Sequence, residues 1–302
     1  MTWTRSLIDT ALIARFELLR AIRSWTALAI VLMYLIANVG GAYVFIRVLG
    51  QLETTMAEQL HVASTQWPGA MTEQLRKSKQ LMEMFDTFVG NHSTAASLIE
   101  RPFLAVYQLW QGFVLIPFLA ATAAAESIAS DVRTRAIRFE VIRTGRAEVV
   151  AGRMLGQIGL CVVATCVSLC GVWILGMSIM APQDPFALAW GLLDLGLRAV
   201  IFAVPFTGLG IAASELTASP AWARVLALGG TASSWVVYWI LSAAREAPWT
   251  TVADVLLPVM PQSWLQGLWQ PGTGLWVSTA ACVGLGAVVA ALGFARFVRR
   301  DL

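Results

Sequence analysis

Six long apolar runs constrain this 302-residue chain more than any other feature. They fall at about 25–46, 103–125, 154–180, 188–213, 223–243 and 273–295. Each is close to the ~20 residues a helix needs to cross hydrocarbon. A backbone in lipid must satisfy its own polar groups, so each run is expected to be α-helical. Only 13% of residues are charged and 58% are hydrophobic, where a soluble domain is about 25% charged. The expected fold is an all-α integral membrane protein with six transmembrane helices, one domain over residues 1–302. Pro117 is expected as a kink in the second span, which membrane helices tolerate. The first apolar run starts only near Trp25 and is too long for a cleavable signal, so it reads as a retained span.

The segments between the runs are equally distinctive. Residues 1–24 read as an amphipathic helix lying in the membrane interface. Ile8, Leu12, Phe16 and Leu19 line one face and Asp9, Glu17, Arg20 and Arg23 the other, while Arg15 must snorkel. Residues 47–102 read as an extracytoplasmic helical hairpin broken at Trp67-Pro68-Gly69, and they hold both lysines, Lys77 and Lys79. Residues 126–153 hold six arginines, at 133, 135, 138, 143, 146 and 153. There Ile128, Val132, Ala136 and Phe139 recur at helical spacing, with Asp131, Arg135 and Arg138 on another face. Residues 214–222 read as a short loop, and 244–272 as short interfacial helices with Trp249, Trp264, Trp269 and Trp276 at headgroup level. With the termini inside, fourteen basic residues face the cytoplasm and six face outward, mostly in the long insert. The positive-inside rule therefore expects both termini to be cytoplasmic.

Several chemistries are not encoded. No G-x-x-x-x-G-K-[ST] occurs, so a P-loop nucleotide site is excluded. His61 and His92 lie outside the spans and no carboxylates converge within them, which argues against an enzyme and leaves the catalytic, cofactor and metal inventories empty. The arginines sit beside membrane spans, so nucleic acid is not the expected partner. Cys161, Cys166, Cys170 and Cys282 read as small apolar residues rather than a zinc site. Met56, Met71, Met82 and Met84 near His61 have the ligand types for Cu(I), but packing is the ordinary reading. Asp194 and Arg198, four apart on the fourth span, share a face. Charges at that depth are costly, so they form either a self-neutralising structural pair or part of a polar substrate path. Asn38, Gln108 and Gln111 could likewise line a path or bond between helices.

The run AAESIASDVRTRAIRFEVIRTGRAEVVAGRMLG resembles the loop after the second span in permease subunits of type-2 ABC transporters. That pattern is a Glu after the span, a nearby acid, a helix with an L-x-x-L-like face, then R-x-E-[VIL]-[VIL]-x-[GA]-[KR]. Its slots fall on Glu126, Asp131, Ile137, Phe139, Arg146, Glu148, Val149, Val150, Gly152 and Arg153. The ending FVRRDL is similar to the family's basic tail, and the amphipathic first helix and six-span layout also match. The chain departs from the family at Arg135-Ala136, where Gly-Thr is common, and at Thr144-Gly145, where a Pro often precedes the R-x-E element. The hairpin is longer than in the simplest members.

The resemblance implies a permease working as a homodimer or heterodimer with two cytoplasmic ABC ATPase subunits that hold MgATP. Residues 126–153 would be the cytoplasmic coupling loop, with Glu126, Asp131, Arg135, Ile137, Arg138, Phe139, Arg143, Arg146 and Glu148 at the ATPase interface. Ile137 and Phe139 would form an apolar plug and the arginines would meet acids around its socket; the alternative is arginines that only contact anionic lipids. Asn38, Gln108, Gln111, Asp194 and Arg198 are the candidate translocation path. The expectation is an exporter in a bacterial inner membrane. Its rivals are a gradient-driven secondary transporter using Asp194 and Arg198, and a membrane scaffold that binds an extracytoplasmic partner through the hairpin. Few acids in the spans and no evident inverted repeat weigh against the former.

Overall fold

The structure, a computed structural model, describes residues 3–59, 67–77, 82–83, 86–87, 89, 91–244 and 250–299. Among them every regular element is helical, and six helices are long and apolar enough to cross a membrane. Helix α1 spans Trp3–Arg23 and turns at Ser24 into α2, Trp25–Gln59. The short α3 (Thr72–Lys77) and α4 (His92–Ile99) follow, then α5, Phe103–Ala124, which carries Pro117. Two short helices, α6 (Ala129–Thr134) and α7 (Ile137–Thr144), lead into α8, Arg146–Ile179. Helices α9 (Pro185–Leu216) and α10 (Pro220–Ala244) are joined by residues 217–219. The segment before the last span holds α11 (Thr250–Leu256), two 3-10 turns and α12 (Leu265–Trp269), and α13 covers Thr273–Val298.

The apolar runs locate the long helices but understate their extent. LETTMAEQ, expected as one arm of a separate hairpin, continues α2 as a single helix of 35 residues. A helix does not stop where hydrocarbon ends, and good helix formers such as Glu, Met, Ala and Gln carry it on. The expected break at Trp67-Pro68-Gly69 is a turn with Gly69 at φ +92°, a conformation natural to glycine. Glu53 fixes this turn, its carboxylate accepting from the Gly69 amide at 2.7 Å and the Met71 amide at 3.0 Å. Much of the expected second arm, with His61, Lys79 and Met84, lies outside the described residues, as do Arg245, Trp249 and the final RDL of the tail. Trp276 is exposed and Trp264 half-buried, but Trp269, expected at headgroup level, is buried.

The chain forms two compact units. The first comprises residues 1–31, 114–163 and 200–302. Here α1 lies along a glycine stripe on α8. A Cβ on Gly152 would come within 2.6 Å of Ile13, and one on Gly156 within 2.7 Å of the Glu17 side chain. Small residues let the two helices approach this closely. Leu7, Ile8, Leu12, Phe16 and Leu19 stay exposed on α1, as expected of a helix whose apolar face meets lipid.

The second unit comprises residues 32–113 and 164–199. A polar seam joins α2 to α5: Gln108 donates to Asn38 Oδ1, Gln111 Nε2 to the Ala37 carbonyl at 2.7 Å, and Asn38 to the Tyr34 carbonyl at 2.8 Å. Gly41 makes room for the Gln111 amide, which a Cβ there would strike.

Candidate functional site

The loop between α5 and α8 belongs wholly to the first unit. It is built as two helices, not one. Arg135 adopts the left-handed conformation (φ 62°) and caps α6, so the face expected to run from Ile128 to Phe139 is interrupted there. Ile128 is buried while Phe139 is 75% exposed. The amides of Ile128 and Ala129, at the start of α6, both donate to Ser214 Oγ on α9, at 2.9 and 2.7 Å. Ser214 therefore supplies from a distance the capping acceptor that α6 lacks locally.

Arg153 holds the loop together. Its guanidinium, 1% exposed, donates to the Ser127 carbonyl and pairs with Asp131 at 2.6 Å and Glu140 at 2.5 Å. One planar fork thus ties the start of α8 to the end of α5, to α6 and to α7, a geometry suited to Arg. Arg20 of α1 joins the same carboxylate, 2.8 Å from Asp131. Arg224 pairs with Glu126 at 2.5 Å. Arg146 donates to the carbonyls of Phe297 and Val298 at 2.9 and 2.6 Å, satisfying the last turn of α13. Glu148 accepts from Ser6 at 2.9 Å, which ties α1 to the first turn of α8.

The nine expected interface residues therefore separate into three sets: four engaged within the chain, one buried and four exposed. Glu126, Asp131, Arg146 and Glu148 are engaged within the chain and position the loop. Ile137, expected as half of an exposed apolar plug, is corrected: it is 1% exposed and packs with Ala124, Ile128, Val149 and Phe297. Arg135, Arg138, Phe139 and Arg143 are exposed. The place expected for Ile137 is taken by Ile142, 83% exposed and three residues from Phe139, hence on the same helical face. Its signal was present in the sequence, as the apolar residue three positions after Phe139 once the helix is restarted at Ile137. A groove of about 490 Å³, lined by Leu12, Phe16, Phe139 and Arg143 among others, separates α1 from α7.

Glu17, on the charged face of α1 with Arg20, is buried. Burial pushes its carboxyl above the usual carboxylate range, and the charges of Arg20 and Arg153 and a hydrogen bond from Gln157 offset this only in part. Among the described residues no three His, Cys, Asp or Glu side chains come together as a metal site would need. Met71 is buried, Met56 and Met82 are half-buried, and His61 and Met84 lie outside the description.

The candidate path residues belong to the second unit. Asp194 accepts from Arg198 at 3.0 Å and also from Arg101 at 2.6 Å, a partner the sequence spacing did not reveal because it lies on another segment. Asn38, Gln108 and Gln111 bond between α2 and α5, one of the two uses their types allowed. The candidate residues thus fall in two constellations, the loop in one unit and the polar groups in the other.

No curated protein matches the chain. The family model described as ABC-2 family transporter protein matches residues 11–302. That match covers nearly all of a helical chain with six membrane-length helices, and it takes in both the loop and the polar seam. The chain is a multi-pass membrane transport permease and belongs to the ABC-2 transporter family.

Proposed function

We propose that this chain is the membrane-spanning half of an ATP-driven exporter and that α7 docks into a separate cytoplasmic ABC ATPase. The observation that carries the reading is the exposed pair Phe139 and Ile142 on a short helix flanked by Arg135, Arg138 and Arg143. Apolar anchors ringed by arginine are what interface centres favour. A helix meant to transmit force must also be held firmly, and the Arg153 network holds α7 to α5 and α6. The working unit would pair two permease chains with two ATPase subunits, MgATP being bound only by the latter. Closure of the ATPases would push on α7 and so on α8, which begins two residues later. The arginine bias supports a cytoplasmic side for this loop and both termini, and the membrane of this reading is a bacterial inner membrane. An outward direction fits a cargo that enters from the lipid, since the exposed helix faces are apolar. The gradient-driven alternative is less favoured because Asp194, its best candidate carboxylate, is neutralised by both Arg101 and Arg198.

The test is affinity purification in mild detergent from the native source, with co-purifying chains identified and assayed for ATP hydrolysis. Wild-type protein should bring down a P-loop ATPase. Phe139→Asp and Ile142→Asp, each at an exposed position, should lose it while the permease still accumulates in the membrane. An ATPase retained by both variants would overturn the docking assignment.

A further inference from the structure

A cavity of about 320 Å³ lies at the elbow where α1 turns into α2, within the first unit. It has two characters. Ala27, Ile30 and Leu160 give it an apolar wall from the first and third spans, while Glu17, Arg20 and Gln157 give it a polar end. The other carboxylates on its rim are already matched, Glu126 by Arg224 and Asp131 by Arg20 and Arg153.

Two acceptors are not matched so well. Glu17 faces Arg20 only at 3.6 Å and takes one hydrogen bond, from Gln157 Nε2 at 2.8 Å. Gln157 is 3% exposed, and its Oε1 is buried without a hydrogen-bond partner. The amide cannot turn over to escape this, because its oxygen would then face the Glu17 carboxylate. A buried acceptor left open costs on the order of 1–3 kcal/mol. The cavity thus holds a carboxylate and a carbonyl oxygen that both call for a donor, beside an apolar wall built from two membrane-length helices.

We propose that this cavity binds the primary ammonium headgroup of a membrane amphiphile of the phosphatidylethanolamine kind. The ammonium donates one N–H to Glu17 and another to Gln157 Oε1, and adds positive charge beside a carboxylate that Arg20 reaches only at 3.6 Å. Arg20, half-exposed at the mouth, is placed to meet the phosphate. The first methylenes lie against Ile30 and Leu160. A trimethylammonium head has no N–H to give and leaves both acceptors open, so phosphatidylcholine is rejected. The cavity is separate from the exposed face of α7, and the assignment stands without ATPase docking.

The test uses the full chain, stripped of lipid in detergent and titrated with phosphatidylethanolamine, its N,N-dimethyl form and phosphatidylcholine of identical acyl chains. Bound lipid is counted by native mass spectrometry and stability read by thermal melting. Wild-type protein should prefer phosphatidylethanolamine over phosphatidylcholine by roughly tenfold, the worth of one charge-assisted hydrogen bond. The dimethyl form, which keeps one N–H, should lie between them. Gln157→Leu and Glu17→Gln should each shrink the preference. Free ethanolamine should compete only weakly; if it competes as well as the lipid, the membrane-amphiphile assignment is wrong. Equal binding of the two lipids to wild-type protein, a comparison independent of whether the variants fold, would overturn the proposal. So would a preference that survives both substitutions.

Discussion

Arg153 carries more of the loop than its place in a motif discloses. Its guanidinium is buried against one carbonyl and two carboxylates that come from three separate segments. Removing one partner of a buried ion pair leaves the others desolvated and unpaired, at about 3–5 kcal/mol. Arg153→Met should therefore lower the melting temperature sharply and open residues 126–145 to protease. Arg153→Lys should restore little, because a point ammonium cannot span the three oxygens. Glu17 gives a second, pH-dependent prediction. Its carboxyl lies above the ordinary 4.5, so the folded chain holds the proton more tightly than the unfolded chain does. That preference stabilises the protein below 4.5 and is lost as pH rises through the raised value. Arg20, Arg153, Asp131 and Gln157 are the polar groups that act on it. In lipid-free detergent Glu17→Gln should flatten the stability profile across that window and raise the melting temperature at neutral pH. An unchanged profile would mean that Glu17 ionises in the fold as it does in water.

At the level of the helices, sequence spacing read the loop correctly in kind and incorrectly in phase. A continuous helix from Ile128 to Phe139 would put both on one face, and Arg135 prevents it by turning left-handed. No rule of periodicity foresees a left-handed arginine, and the helix restarted after it buries Ile137 and leaves Ile142 exposed. The family's common Gly at this slot does fit the observed backbone, since glycine adopts φ 62° without the Cβ clash that costs others roughly 1–2 kcal/mol. Arg135→Gly should therefore hold or raise thermal stability by up to about 1 kcal/mol, even though it removes a charge. A fall in melting temperature would show that the arginine side chain itself secures the turn. Gly145, at φ 98°, explains the other departure, because proline is fixed near −65° and cannot stand there. The six long helices were legible because hydrocarbon demands unbroken apolar length. Their aqueous extensions were not, since nothing apolar marks where α2 ends or where α8 begins. The close seating of α1 on Gly152 and Gly156 was also hidden, for a glycine shows its purpose only when the neighbour is known.

The proposed docking turns on sidedness, because an ATPase could engage α7 only from the compartment that holds ATP. An even number of spans returns the chain to the side on which it started, and the bias of fourteen basic residues against six is the ground for proposing that this side is the cytoplasm. The asymmetry is concentrated in the loop and around α1, where Arg20 and Arg153 are held by protein carboxylates rather than left to lipid. Topogenesis reads charge before those pairs form, so their later neutralisation does not weaken the argument. The four native cysteines, all free and all within long helices, can be replaced to give a silent background. Single cysteines at Thr55, exposed near the far end of α2, and at Arg133, exposed on α6, then report the two sides. A membrane-impermeant maleimide applied to intact cells should label Thr55→Cys at once and Arg133→Cys only after permeabilisation. The reverse pattern would place α7 outside, where no ATP is available, and Phe139 and Ile142 would then have to face an extracytoplasmic partner. Labelling of both positions in intact cells would contradict an even span count and require one of the six helices to lie in the interface rather than cross it.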